Sequence, residues 1–235
     1  MSFITFGEIL MRLSTPHHQT FEQAQAFDIH YGGAEMNVAI GLSGLGIDTA
    51  MVTALPNNDI GDNIIQHLRR YNVNADKVKS ASGRLGIYFT ESGYAQRANR
   101  LIYDRQMSVF SQLNPDEYEI ESILKAHEWF HITGITAALN DALFEYLKKA
   151  VKIAKTLGLF VSCDLNFRDA LWDFQTARRK MSELLYDVDL IFGYEPLSLP
   201  GEDGKDLKDG LDRMANIEDI RPFLTKIHQT YNINY

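Results

Sequence analysis

Residues Lys125–Thr136 read KAHEWFHITGIT, and their conformation decides between two unrelated folds. The segment contains HEWFH, a match to H-E-x-x-H, the pattern that places two imidazoles and a glutamate on one helix face around zinc. On a helix, the apolar neighbours of His127 and His131 should recur with a 3.6-residue period. Instead Trp129, Phe130, Ile132, Thr133, Ile135 and Thr136 crowd together around Gly134, an aromatic and β-branched composition that favours a strand. On a strand, side chains four residues apart share a face but lie roughly 13 Å apart, too far to share one metal ion. The segment therefore predicts a strand over 129–133, with His127 closing the preceding helix, where a cation suits the dipole.

Outward from that strand the chain alternates. Helix 116–126 leads to strand 129–133, helix 140–157 to strand 159–164, and helix 175–186 to strand 188–192. This rhythm predicts βαβ units and a parallel sheet. Towards the N-terminus, Ser2–Ile9 reads as a buried strand and Asp48–Leu55 as another. Asp59–Tyr71 reads as an amphipathic helix with Ile60, Ile64 and Leu68 on one stripe. Gly46 is placed to end a helix that starts after Gly33, whose small residues Gly41, Ser43 and Gly44 allow close packing. Two parts break the rhythm. Phe21–Tyr31 has the mixed alternation of an exposed ribbon, and the runs Leu85–Glu91 and Arg100–Arg105 flank the turn-rich SGYAQRAN as a hairpin. Together they predict a small separate β-layer, while the polar, Gly-rich Ser198–Gly210 reads as a surface loop.

Bulk properties exclude several function classes. The chain has 235 residues, 45% of them hydrophobic, and a formal net charge of −8. It lacks the basic footprint of a nucleic-acid binder, and Arg178, Arg179 and Lys180 read as a solvated helix face. No stretch has the apolar length of a membrane span, and the N-terminus lacks the pattern of a secretory signal. One cysteine, Cys163, permits no internal disulfide and suits a reducing cytoplasm as a buried strand residue.

Chemistry concentrates in three segments. In Tyr31–Gly46, YGGAEMNVAIGLSGLG, two glycines before a helix let backbone N–H groups approach an oxygen-rich ligand, and Asn37 offers donor and acceptor to a hydroxyl. A tight strand-to-helix turn explains the same glycines. A dinucleotide fingerprint does not, because Gly41, Gly44 and Gly46 have the wrong spacing. In Ser162–Trp172, SCDLNFRDALW, residues Asp164, Asn166 and Arg168 follow a strand at its carboxyl end, where α/β ligand sites form. Arg168 could hold a phosphate or carboxylate there, or simply staple the loop to Asp164. In Asn99–Ser108, NRLIYDRQMS, Tyr103 and Arg105 share a strand face that Tyr88 could join, suited to an anionic hydroxylated ligand or to an exposed edge.

In chain order TFGEILMRL, YGGAEMNVAIGLSGLG, LPNNDIGD, YDR and DLNFR resemble the ribokinase-like (PfkB-type) sugar kinases, and among them the 2-keto-3-deoxygluconate kinases, from the N-terminus to about Phe192. The resemblance implies a single α/β ribokinase-like domain over 1–235, with lid strands from about 12–31 and 84–108 that can pair into a homodimer. It also implies ATP and Mg²⁺ as cofactors and a small sugar acid as substrate. By the same resemblance Gly32, Gly33 and Asn37 contact the sugar chain. Tyr88, Tyr103 and Arg105 recognise an open-chain keto acid and its carboxylate, and Arg168 with Asn166 faces substrate and transferred phosphate. An arginine suits that place because phosphoryl transfer depends on positioning and on neutralising charge.

Two departures stand out. After strand 188–192 the family's Asn and Glu are reduced to GYEPL, where Glu195 alone can match at the nucleotide–magnesium side. The family's Gly-Ala-Gly-Asp run, with its catalytic base and anion hole, is absent from the 235 residues, so a C-terminally truncated and inactive chain is expected. Two rival readings remain, a kinase of a neutral sugar (fructose or ribose type) and a non-catalytic sugar-acid-binding protein.

Overall fold

The segment around HEWFH is a strand from Trp129 to Thr133, so His127 and His131 share no helix face. In a computed structural model, which describes residues 1–212 and 215–235, this strand belongs to the second of two compact units, Met1–Asn114 and Pro115–Tyr235.

The first unit runs β1 (Ser2–Phe6), β2 (Leu10–Ser14), β3 (Asp28–Gly32), α1 (Ala34–Gly44), β4 (Asp48–Pro56), α2 (Asp59–Arg70), β5 (Val73–Ala81), β6 (Gly86–Glu91), β7 (Arg100–Asp104) and a short α3 (Val109–Gln112). Strands β1, β4 and β5 lie side by side and parallel. A second, mixed sheet has the order β3-β2-β6-β7, antiparallel at its outer pairs and parallel between β2 and β6. Strand β4 is buried on both faces over eight of its nine residues, which is why it reads as a continuous apolar run. Ile64 and Leu68 of α2 pack with Met51, Leu55 and Met36 in the core, while Ile60 on the same stripe stays 38% exposed. The N-terminus of α2 is closed by Asn58, whose side chain accepts from the backbone N–H groups of Ile60 and Gly61.

Three expectations change here. Only Asp28–Gly32 of the ribbon is a strand, and the turns before it are anchored where the Phe21 N–H donates to the buried Glu91 carboxylate. Gly41 and Gly44 face open space rather than a packed neighbour. Strand β5 was not anticipated, because VNADKVKSA is rich in residues that strands disfavour.

The second unit runs α4 (Ile120–Leu124), β8 (Trp129–Thr133), α5 (Gly134–Leu139), α6 (Asp141–Thr156), β9 (Phe160–Asp164), α7 (Phe174–Leu184), β10 (Leu190–Phe192) and α8 (Ile217–Tyr231). Strands β8, β9 and β10 are consecutive and parallel, as the alternation requires. The first helix is shorter than 116–126, because Pro115–Glu117 forms a 3-10 turn before it. Ile135 and Thr136 are helical, since the Thr133 side chain accepts from the Ile135 N–H and caps α5 directly at the strand end. Cys163 is buried on β9. No helix among the described residues is long and apolar enough to cross a membrane.

Candidate active site

In the first unit the site forms where β3 turns into α1. Gly33 has an extended φ of 179°, which any residue can adopt. Its side-chain-free state is demanded by packing, because a Cβ there would lie 2.3 Å from the backbone oxygen of Glu8. Gly32 differs. A Cβ at Gly32 would meet only the Tyr88 hydroxyl at 3.8 Å and the Asn37 Oδ1 at 3.9 Å. The phenol and the amide thus converge over Gly32, two hydroxyl-recognising groups above an open backbone. They line a cavity of about 590 Å³, together with Arg12, His30, His67 and Arg70. Such a volume lies in the range of small-ligand sites.

Tyr103 is the register partner of Tyr88, and the two rings stack with centroids 5.6 Å apart. Tyr103 is 44% exposed. Arg105 does not share that environment. Strand β7 ends at Asp104, and Arg105 turns inward to 9% exposure. Its Nε donates to Glu8 Oε2 at 3.0 Å and its Nη2 donates to the same oxygen, while the Ser108 hydroxyl donates to Glu8 Oε1. The expected common face of Tyr103 and Arg105 gives way because a buried carboxylate draws the guanidinium to itself. Among the described residues Arg12 forms no ion pair and no side-chain hydrogen bond, and its buried Nε has no partner. Sequence reasoning passed over Arg12, whose only signal was a charge in the middle of a short apolar strand.

The second unit holds the remaining candidates. Asp164 ends β9 and accepts from Asn166 twice, from its backbone N–H and its Nδ2, both at 3.1 Å. Asn166 holds a left-handed φ of 39°, a conformation asparagine tolerates better than most residues. Burial pushes the Asp164 carboxyl upward, opposed by the Asn166 hydrogen bonds and the Arg168 charge. The loop comes close to α5, since a Cβ on Gly134 would sit 2.1 Å from the Leu165 carbonyl oxygen. Arg168 itself is exposed, and its Nη1 donates to the Phe167 carbonyl at 3.1 Å. The simple Asp164–Arg168 staple is not what forms. A guanidinium bonded only to its own backbone is available to an oxyanion.

Glu195 lies 3.8 Å from Arg178 Nη2 and 3.6 Å from Lys208 Nζ. Burial raises its pKa and the two cations oppose that rise. Lys208 has a fully buried side chain, donating to the Leu197 carbonyl at 2.6 Å and to Asp206 Oδ1 at 2.7 Å. Arg178 stacks on Phe174, its guanidinium carbon 4.7 Å from the ring centre, and bridges to Asp206 and Asp209. The basic run at 178–180 is therefore only partly a solvated face. Arg179 is exposed, whereas Arg178 and Lys180 are each 11% exposed and paired with acids.

The family model for the pfkB carbohydrate kinases matches residues 2–220. The chain belongs to the pfkB family of carbohydrate kinases. It is 33% identical to a 2-dehydro-3-deoxygalactonokinase of Haloferax volcanii over 82% of its own length and 60% of that protein. It is also 31% identical to a 2-dehydro-3-deoxygluconokinase of Thermoproteus tenax, over 81% of this chain and 58% of that one. The chain thus spans about three-fifths of these relatives. The crystal structure of a 2-dehydro-3-deoxygluconokinase from Thermotoga maritima superposes with a TM-score of 0.89 at 37% identity, covering 99% of this chain and 70% of that one. The pfkB fold, an α/β architecture of parallel strands flanked by helices with a smaller mixed sheet, is the one described above.

Proposed function

We propose that the whole protein phosphorylates a six-carbon 2-keto-3-deoxy sugar acid, 2-keto-3-deoxygluconate, transferring a phosphoryl group from ATP with Mg²⁺ to a sugar hydroxyl. The observation that carries this reading is the cavity over Gly32, where Asn37 and Tyr88 converge beside the guanidinium groups of Arg12 and Arg70. Hydroxyls suit the amide and phenol, and a carboxylate suits a guanidinium. The relatives support the class, one being a 2-dehydro-3-deoxygalactonokinase and the other a 2-dehydro-3-deoxygluconokinase.

On this reading Gly32, Gly33, Asn37, Tyr88 and Tyr103 form the sugar side, and the four-stranded sheet is the lid, through which a homodimer would pair. Asn166 and Arg168 are assigned the transferred phosphoryl group, which Arg168 fits by being exposed and unpaired among the described residues. Glu195 is assigned the magnesium side. When bound, ATP supplies the phosphoryl group and Mg²⁺ neutralises its oxygens, while Arg168 orients and balances spreading charge. The family model matches residues 2–220, and to these residues we assign binding of the sugar acid.

Calorimetric titration of 2-keto-3-deoxygluconate, its galactonate epimer and fructose into the 235-residue chain tests the reading. The expected result is at least tenfold tighter binding of a keto acid than of fructose, about 1.4 kcal/mol. Preference for fructose would replace it with a neutral-sugar kinase.

A further inference from the structure

Across the mixed sheet, backbone register sets four side chains in one row. His30 of β3 pairs with Arg12 of β2, Arg12 with Tyr88 of β6, and Tyr88 with Tyr103 of β7. Tyr103 closes the row, its ring stacked on the phenol that meets Asn37 over Gly32. Strand β7 ends one residue later, at Asp104. All five of its residues are exposed, so burial does little to hold that end of the sheet in place.

Arg84, two residues ahead of β6, grips it instead. Its Nη2 donates to the Asp104 carbonyl at 2.9 Å and to Asp104 Oδ2 at 2.6 Å. Its Nη1 donates to Asp104 Oδ1 at 2.6 Å and to the Gln106 carbonyl at 3.3 Å. One planar fork therefore holds the residues on both sides of Arg105. The Arg84 backbone holds the same turn further on, accepting from the Val109 N–H at 2.9 Å and bridging to Ser108, whose hydroxyl donates to Glu8. Between these two holds, Met107 is exposed with a left-handed φ of 56°. Methionine disfavours that conformation and gains no burial from it, so the turn depends on its anchors. The hydrogen bonds from Arg84 also keep the Asp104 carboxyl below its ordinary pKa. The two side chains are 38% and 54% exposed, and an ion pair so exposed adds little to global stability. Its consequence is local, in where Tyr103 and Arg105 are held.

We propose that Arg84 is a positioning residue of the sugar site, fixing the end of β7 so that Tyr103 is stacked on Tyr88, and Arg105 turned inward, before a sugar arrives. This rests on the sugar-acid reading above and extends it to a residue that does not line the cavity and acts through Asp104 and Gln106. The residue type follows from the geometry. A guanidinium presents donors in fixed directions to several acceptors at once, whereas a lysine ammonium is a compact charge on a flexible stem. Released from Arg84, residues 104–107 would sample other conformations, and a ligand would have to order Tyr103 again on binding. That cost falls on affinity and not on the fold.

The test is calorimetric titration of 2-keto-3-deoxygluconate into the wild-type 235-residue chain, Arg84→Met and Arg84→Lys, with thermal melts and native-state hydrogen exchange of each. Arg84→Met should weaken binding by about fivefold to tenfold, the cost of ordering one or two freed side chains. Arg84→Lys should recover part of that loss, and the three melts should coincide. Exchange in Arg84→Met should quicken at the amides of residues 105–109 while β1 and β4 keep their protection. Wild-type affinity in Arg84→Met would overturn the assignment, reducing Arg84 to an ordinary surface ion pair and leaving the sugar-acid reading intact. Weaker binding without faster exchange at 105–109, or with protection lost throughout β1 and β4, would overturn it as well. A wild-type chain that binds no keto acid would remove the sugar-acid reading and this inference together.

Discussion

Replacing Arg105 with methionine should loosen the first unit rather than trim its affinity for one ligand class. The Glu8 and Arg105 side chains are 2% and 9% exposed, and Nε and Nη2 of the arginine both donate to one carboxylate oxygen. The surroundings admit no replacement water easily. A Cβ placed on Gly86 would lie 3.0 Å from Glu8 Oε1 and 3.2 Å from the Arg105 Cβ, so backbone already fills that side. Deleting the guanidinium leaves a buried carboxylate that still accepts from the Ser108 hydroxyl. Breaking a buried pair from one side costs about 3–5 kcal/mol. The double variant Glu8→Gln/Arg105→Met removes the stranded charge and should recover a sizeable part of that loss, so the cycle should show coupling well above about 0.5 kcal/mol.

The assay must read the first unit. Both tryptophans, Trp129 and Trp172, lie in the second, so their fluorescence would miss the effect. Native-state hydrogen exchange resolves it. Amides of β1 and β4 in Arg105→Met should lose about two to three orders of magnitude in protection, which is 3–4 kcal/mol at 1.4 kcal/mol per tenfold. Fructose and keto acid should then lose affinity alike. Protection within tenfold of wild type, combined with selective loss of the keto acid, would refute the reasoning. It would mean that Arg105 leaves Glu8 to bind the ligand.

Two further outcomes follow from single contacts. Gly33→Ala should destabilise the first unit by about 1–3 kcal/mol, because its Cβ would meet the Glu8 carbonyl oxygen at 2.3 Å, whereas Gly32→Ala, with contacts of 3.8 and 3.9 Å, should fold normally and bind sugar acid more weakly. Melts paired with calorimetry check both, and a stable Gly33→Ala chain would contradict the packing account. Burial on β8 lowers His131 from 6.5 to about 4 in the folded state, so its contribution is complete above pH 6.5 and is lost as pH falls towards 4. The loss amounts to about 3 kcal/mol. Urea melts followed by tryptophan fluorescence should fall more steeply with acid in wild type than in His131→Asn over that window, and equal slopes would contradict it.

What the sequence revealed of this protein, and what it hid, divides along one physical line. Strand 129–133 could be read to the residue, because aromatic and β-branched side chains on a buried strand advertise their conformation locally. Strand β5 could not, since Asn74, Asp76, Lys77 and Lys79 carry no such signal and its pairing with β4 supplies the order. Helix α8 was obscured by Pro222 in its sixth position, although Asn216 before it offers a clear cap to Glu218 and Asp219. In the site, Gly32 and Asn37 stand five residues apart on one turn, so their partnership was visible. Glu8 and Arg105 are 97 residues apart, and only the sheet reveals that the arginine of the YDR run is already spoken for. Arg12 faced the same obstacle from the other side. Its neighbours in the row, His30, Tyr88 and Tyr103, come from three other strands. The register alone puts an imidazole, a guanidinium and two phenols on one face of the sheet, an arrangement that no local stretch of sequence contains.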